Sequence, residues 1–298
     1  HHPGRGRRAP ARAGGLPPCP ELGRFPFAHD HSPFLAPSIP VVPTGCCAGW
    51  GKSWLSEPIL RHWYVTSPQP FARLEEPAVK YAPHLEPSPL PYSPFKSCTV
   101  PRPIGWLSSV SASGVENIAP YSQWQNLTFD PPMVMFSANQ YPDGRRKDTV
   151  VNAEETGWFV WNMATYDLRE AVNVSAMALP PDESEFDRLS VTREYADNAP
   201  VPMVRESPVK FECRYLSTHR LKGNSPVGSI DIVFARVEKI HIDDKVIGQD
   251  GRLDIPSIRP IARLGYFDYT VVDRVFEMRV PDSDAAAQAG LEGSAEFR

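Results

Sequence analysis

Residues 101–122, Pro-Arg-Pro-Ile-Gly-Trp-Leu-Ser-Ser-Val-Ser-Ala-Ser-Gly-Val-Glu-Asn-Ile-Ala-Pro-Tyr-Ser, decide how the chain reads. Ile104 to Ser111 is rich in β-forming side chains and runs into Ser113-Gly114, a turn signal. Asn117 to Tyr121 then resumes in a form that suits a hairpin partner. Asp130-Pro131-Pro132 punctuates the chain before Met133-Val134-Met135-Phe136-Ser137, a continuous apolar run suited to a buried strand. Strand follows strand here without the intervening helices of a βαβ unit.

Further along, Asp148 is placed to cap a helix over Thr149 to Thr156, with Gly157 ending it, and Trp158 to Met163 reads as the next strand. Asp167 followed by Glu170 is a capping-box-like start for a helix from Leu168 to about Met177, which Pro180-Pro181 stops. From Val209 to Leu216, apolar and charged residues alternate, the pattern of a strand with one wet face. A long strand over Val227 to Ile242 changes phase between Phe234 and Val237, so a bulge is expected near Ala235, as at barrel corners. These elements add up to a mainly β, curved, antiparallel domain with a few helices.

The chain has 298 residues, 41% of them hydrophobic, enough for a sizeable core. A net charge of -4 gives no overall field that would attract nucleic acid. No apolar run is long enough to cross a membrane as a helix, and no apolar segment follows the N-terminal arginines, so a cytoplasmic protein without a membrane anchor is expected. The five cysteines, Cys19, Cys46, Cys47, Cys98 and Cys213, lack the spacing of a disulfide framework or zinc site and read as free thiols.

The organisation expected is fourfold. Residues 1–60, proline-rich with arginines among glycines and with no initiating methionine, read as a disordered or non-native extension. Residues 61–94 keep the prolines but gain aromatics and read as an extended arm packing on the body. Residues 95–281 form the domain and 282–298 a flexible tail. Cys46 to Ser53 superficially resembles a phosphate loop but lacks its first glycine.

Three segments can carry chemistry. Arg145, Arg146 and Lys147 stand before a helix start whose free N–H groups and Thr149 hydroxyl suit a phosphate; an ordinary solvated, capped basic loop fits the same residues. Asn117 to Ser122 combines an amide, a phenol and a hydroxyl, donors and acceptors that can read the edge of a heterocycle; turn-forming residues at a strand end fit equally. In Pro103-Ile104-Gly105-Trp106 the glycine permits close approach of a ligand, or simply tight packing. No nucleophile elbow, zinc-protease motif, paired-cysteine motif or dinucleotide fingerprint is present. His219 and His241 read as surface or satisfied core histidines, Asp243-Asp244 as a turn, and Asp182 to Glu185 as a solvated acidic loop.

Taken together, the segments resemble the flavin reductase-like family of FMN-binding split-barrel proteins. The matching blocks are Pro101 to Ser111, Asn117 to Ser122, Pro131 to Ser137, Lys147-Asp148-Thr149 with Asn152, Trp158 to Asn162, Glu206 to Val209 and Arg259 to Gly265. The resemblance implies a six-stranded Greek-key split barrel with a few peripheral helices, forming a homodimer with FMN, or FAD, near the interface. It also implies NADH or NADPH as co-substrate, and an oxygenase as one potential partner. By the same resemblance, Pro103, Ile104, Gly105, Trp106, Ser108 and Ser109 line the ring and ribityl chain, and Asn117, Ala119, Pro120, Tyr121 and Ser122 the ring edge. Arg146, Lys147, Asp148 and Thr149 would then surround the phosphate. Where many relatives carry Phe-Phe-Asn, this chain has Gln123-Trp124-Gln125, which keeps an amide at Gln125 on a longer arm. Hydride transfer between nicotinamide and flavin is the cofactors' chemistry, so a missing catalytic triad is consistent with it.

Overall fold

The computed structural model describes residues 78–278. The expectations for residues 1–60, for residues 61–77 of the arm and for the tail 282–298 lie outside the described residues, as do Cys19, Cys46 and Cys47. In chain order the strands are β1 (Arg102–Pro103), β2 (Gly105–Val110), β3 (Glu116–Tyr121), β4 (Trp124–Phe129) and β5 (Pro132–Asn139), followed by helix α1 (Asp148–Thr156). Next come β6 (Trp158–Asn162), α2 (Arg169–Val174), β7 (Arg193–Tyr195), β8 (Pro202–Val204), β9 (Val209–Leu221) and β10 (Ile230–Ile242). The short helix α3 (Ile255–Ile258), β11 (Ile261–Arg263) and β12 (Tyr269–Val271) complete the series.

The main sheet has seven strands in the order β3-β2-β6-β9-β10-β5-β4, all antiparallel. Two smaller sheets, β1-β11-β12 and β7-β8, flank it. The mainly β split-barrel expectation holds, but the main sheet has seven strands rather than six. The additional strand is β4, which pairs with β5 from Trp124 opposite Phe136 to Phe129 opposite Pro132. Of its residues only Trp124 is buried, so β4 carries no alternating apolar face for a sequence reading to find.

The sheet curls on itself: Tyr121 of β3 and Trp124 of β4, from its two edge strands, share one buried core with Leu107, Phe136, Phe159 and Val233. Trp124 stacks on Trp161 with ring centroids 5.6 Å apart and planes 5° from parallel. The bend in β9–β10 comes from register shifts, one of which falls between Phe234 and Ala235, where the phase change predicted it.

Three local expectations need correction. Asp148 is the first helical residue of α1 and not its cap; Lys147, in an extended conformation, occupies that position, and no side chain caps the turn. Gly157 does end the helix, at φ 80°, in the left-handed region that suits glycine. No capping box starts α2: Leu168 stands at its cap, Asp167 reaches Arg259 at 3.6 Å instead, and the helix stops at Val174. Turns carry the chain on to Met177, and at the helix end the Ser175 hydroxyl donates to the Val172 carbonyl and accepts the Trp106 indole N–H at 2.9 Å.

The third correction concerns β9, which has no wet face at its start. Lys210 and Glu212 are 4% and 0% exposed. The excursion carrying β7 and β8 covers them and supplies their partners: Glu194 for Lys210 at 2.7 Å, and the Asp197 and Asn198 amides for Glu212 at 2.9 Å each. His241 Nε2 adds a 2.7 Å contact to Glu212, so this histidine is partnered but only half-buried, while His219 is exposed. Asp243 enters a short turn over Asp244–Val246, as expected. Cys98 and Cys213 are free.

Candidate functional site

The start of α1 meets the end of β3 at a small cavity of about 90 Å³ lined by Asn117, Ala119, Pro120, Tyr121, Lys147, Asp148 and Thr149. The segment after α2 (Ser175 to Ala178), Tyr141 and Glu185 complete the wall. Pro120 and Ala176 also line a second cavity of about 560 Å³, whose other walls include Ile104, Ser122, Arg102 and Tyr269. A volume of that size lies in the usual range for small-molecule sites.

Asn117 is the joint of the small cavity. Its side-chain oxygen accepts from the Thr149 hydroxyl at 2.8 Å and from the Ser109 hydroxyl at 3.3 Å, while its Nδ2 donates to Glu185 Oε2 at 2.9 Å. Asn152 Nδ2 donates to Ser109 at 3.1 Å, tying α1 to β2 a second time. Glu185 Oε2 accepts the Ile118 N–H at 3.1 Å as well. The expectation of a solvated acidic loop at Asp182 to Glu185 therefore fails at its last residue, which is 5% exposed. Burial pushes the Glu185 carboxyl above its ordinary value, although the bonds from Ile118 and Asn117 pull the other way. Nothing in the local sequence distinguishes Glu185; its partners lie 67 and 68 residues away.

Lys147 places its ammonium 3.4 Å from the centroid of the Tyr141 ring, and burial holds it below the usual lysine value. Tyr121 is buried beside Thr149 and Phe136, and burial raises its phenol far above the usual range. Tyr141 is raised for the same reason, with Asp148 adding to the effect.

The other sequence-predicted residues lie elsewhere. Arg146 forms a double contact with Glu154 at 2.6 and 2.7 Å and reaches Asp231 at 3.2 Å, so its charge is already matched. Trp106 and Ser108 are fully buried, Ser108 accepting from Asn162 Nδ2 at 3.1 Å. Gly105 backs onto Trp124: a Cβ added there would stand 3.1 Å from the Trp124 Cβ and Cε3, so packing against that ring accounts for the glycine. Pro103 and Gln125 are exposed and line neither cavity. Sequence reasoning missed Tyr141, Ser175 to Ala178 and Glu185 in the small cavity, and Lys96, Ser97, Arg102 and Arg263 in the large one.

Known proteins are similar to this chain in sequence or in fold. An uncharacterized protein of Halalkalibacterium halodurans is 34% identical over 182 residues, covering 61% of this chain and 87% of the relative. The structure of nitrilotriacetate monooxygenase component B from Bacillus cereus is similar over 68% of this chain and 100% of that one, with a TM-score of 0.63 at 29% identity. A split-barrel protein of Shewanella frigidimarina, 21% identical with a TM-score of 0.55, shares the fold over 62% of this chain and 89% of its own. The model of the flavin reductase like domain matches residues 97–269, more than half of the sequence, and the chain belongs to that family.

Proposed function

We propose that the protein is an FMN-dependent oxidoreductase that takes hydride from NADH or NADPH and passes electrons to free flavin, to oxygen or to a partner oxygenase. One observation carries the reading: two family segments far apart in sequence, Asn117 to Tyr121 and Lys147 to Thr149, line a single cavity that shares Pro120 and Ala176 with a larger one.

The residues present fit the cofactor. The small cavity offers an uncapped helix start and the Lys147 ammonium, the donors a phosphate monoester needs. The larger one offers apolar surface at Ile104 and Pro120 with the Ser122 hydroxyl beside it. When bound, FMN supplies the hydride-accepting ring. The chain's own work is binding and orientation. Lys147 counters the phosphate charge, and Asn117 fixes the Thr149 hydroxyl at the helix start. Buried Trp106, Ser108 and Ser109 hold the wall behind the site.

The working form in this proposal is a homodimer, which would cover the exposed Leu127 and Phe129 of β4 and Ile240 and Ile242 of β10. The oxygenase among the acceptors follows from the likeness to a monooxygenase component. Anaerobic stopped-flow mixing of the FMN-loaded protein with NADH and with NADPH tests the reaction. Rapid bleaching of the flavin by either is the expected result. If neither reduces it at a useful rate the reductase reading is wrong and an electron-transfer module remains; a protein that takes up no FMN rules out both.

A further inference from the structure

The larger cavity has a second character besides its apolar face. Lys96, Arg102 and Arg263 all line it, and no carboxylate does. Arg102 is held by carbonyl oxygens alone: its Nη1 donates to Thr99 at 3.1 Å and to Lys96, and its Nη2 to Leu264 at 2.7 Å. Arg263 donates to the Tyr266 carbonyl and lies over the Tyr269 ring at 4.5 Å. Among the described residues none of the three cations forms an ion pair, in contrast to Arg146, Arg193 and Arg220, which all do.

Two polar atoms in the lining are also buried without a partner, Ser97 Oγ and Arg102 Nε. Buried donors in native proteins are nearly always satisfied, so each orphaned one calls for an explanation, a bound water or ion among them. We propose that Lys96, Arg102 and Arg263, with Ser97, form an anion subsite that holds the diphosphate of a nucleotide co-substrate beside the flavin. The inference rests on the flavin reading above and adds to it where the second nucleotide sits.

The physical case is one of uncompensated charge. Carbonyl dipoles and an aromatic face orient guanidinium groups without neutralising them, so the cations repel one another; burial together with Arg263 lowers the proton affinity of Arg102. An anion entering the cavity relieves that repulsion, and a planar guanidinium suits a phosphoryl group. A neutral substrate would leave the charge unanswered. The small cavity, at about 90 Å³, has no comparable cluster, so the two phosphate-bearing ends are held apart.

The test uses Lys96→Ala combined with Arg263→Gln, leaving Arg102 in place because its carbonyl bonds tie Lys96 and Thr99 to Leu264. FMN is titrated into the apo protein, and adenosine diphosphate and NADP⁺ into the FMN-loaded protein, by calorimetry. The expected result is a loss of about tenfold or more in affinity for both nucleotides with FMN affinity within twofold of the parent. Unchanged nucleotide binding overturns the proposal, and so does a parallel loss of FMN, which would assign the cations to the flavin itself. Because binding is read without turnover, a protein that binds adenosine diphosphate through these residues yet is not reduced by NAD(P)H would refute the reductase and leave the subsite standing.

Discussion

Arg146 and Lys147 are adjacent in sequence and opposite in consequence, which makes them a sharp test of where the phosphate sits. Without ligand, the Lys147 ammonium rests on Tyr141, a contact worth about 0.5–1 kcal/mol at a partly exposed site. A hydrogen bond from it to a phosphate is worth about 1.5–3 kcal/mol. Binding exchanges one for the other, so Lys147→Ala should lose the difference, about 1–2 kcal/mol, or roughly 5- to 30-fold in FMN affinity. Arg146 is spoken for by Glu154 and by Asp231, the latter 1% exposed. Its removal leaves Asp231 only the more exposed Arg220, and should cost about 2 kcal/mol of stability, roughly 4–8 °C in Tm for a domain of this size. FMN affinity of Arg146→Ala should stay within about twofold of the parent. Fluorescence-quenching titration of FMN into apo protein, with thermal unfolding of the same samples, reads both quantities. If Lys147→Ala binds FMN as the parent does, or if Arg146→Ala proves the weaker binder, the phosphate seat is not at the start of α1.

Three further outcomes follow from the same geometry. Glu185→Gln can keep both bonds that Oε2 accepts while removing a buried negative charge from the small cavity, so FMN should bind more tightly by about 1 kcal/mol at neutral pH. Since burial raises the Glu185 carboxyl, the parent loses this charge earlier on acidification than an ordinary glutamate, and the advantage should shrink as pH falls; an advantage that grows with acidification would contradict it. Glu154 is drawn down to about 2, first by Arg146, so its share of stability is complete above the usual 4.5 and disappears as pH falls toward 2. Melting curves of Glu154→Gln should lack that part of the acid slope. Gly105→Ala forces the Trp124 ring aside and should cost about 1–3 kcal/mol in chemical denaturation, while FMN titration of the folded variant should match the parent.

What the sequence made legible was whatever has its own local period or its own breaker. β2, β3 and β5 were read as strands because their apolar runs are bounded by turn residues, and α1 because Gly157 can occupy the left-handed region that ends it. The bulge in β10 showed as a change of phase. β4 was illegible because its outward residues need no pattern; its pairing with β5 defines it, and only Trp124 enters the core. Lys210 and Glu212 misled for the opposite reason: an alternating strand predicts a wet face only if nothing covers it, and residues 193–204 do. Within the site, Asn117, Thr149 and Arg263 were visible through the blocks that carry them, although no role was read for Arg263, whereas Glu185 and Lys96 reach the cavities through packing that no local pattern encodes.

Binding and stability are entangled at Asn117 and separable at Lys147, and this decides which substitutions can inform about function. The Asn117 amide holds β3 to α1 through Thr149, to β2 through Ser109 and to the turn at Glu185. Removing it would leave a buried hydroxyl and a buried carboxyl short of partners, each at a cost of about 1–3 kcal/mol, so any loss of flavin would be confounded with a loosened wall. Asp at the same position would place a second carboxyl against Glu185, whose own ionisation burial already opposes. Lys147 bears no such load: its backbone carbonyl starts the helix, accepting from Val150 and Val151, whatever the side chain, whose ammonium lies over the Tyr141 ring. The site is thus a hydrogen-bonded frame, built from buried Asn117, Thr149 and Ser109, with the Lys147 charge at its rim. Affinity should be adjustable at that rim without cost to the fold, whereas a change in the frame shifts both together.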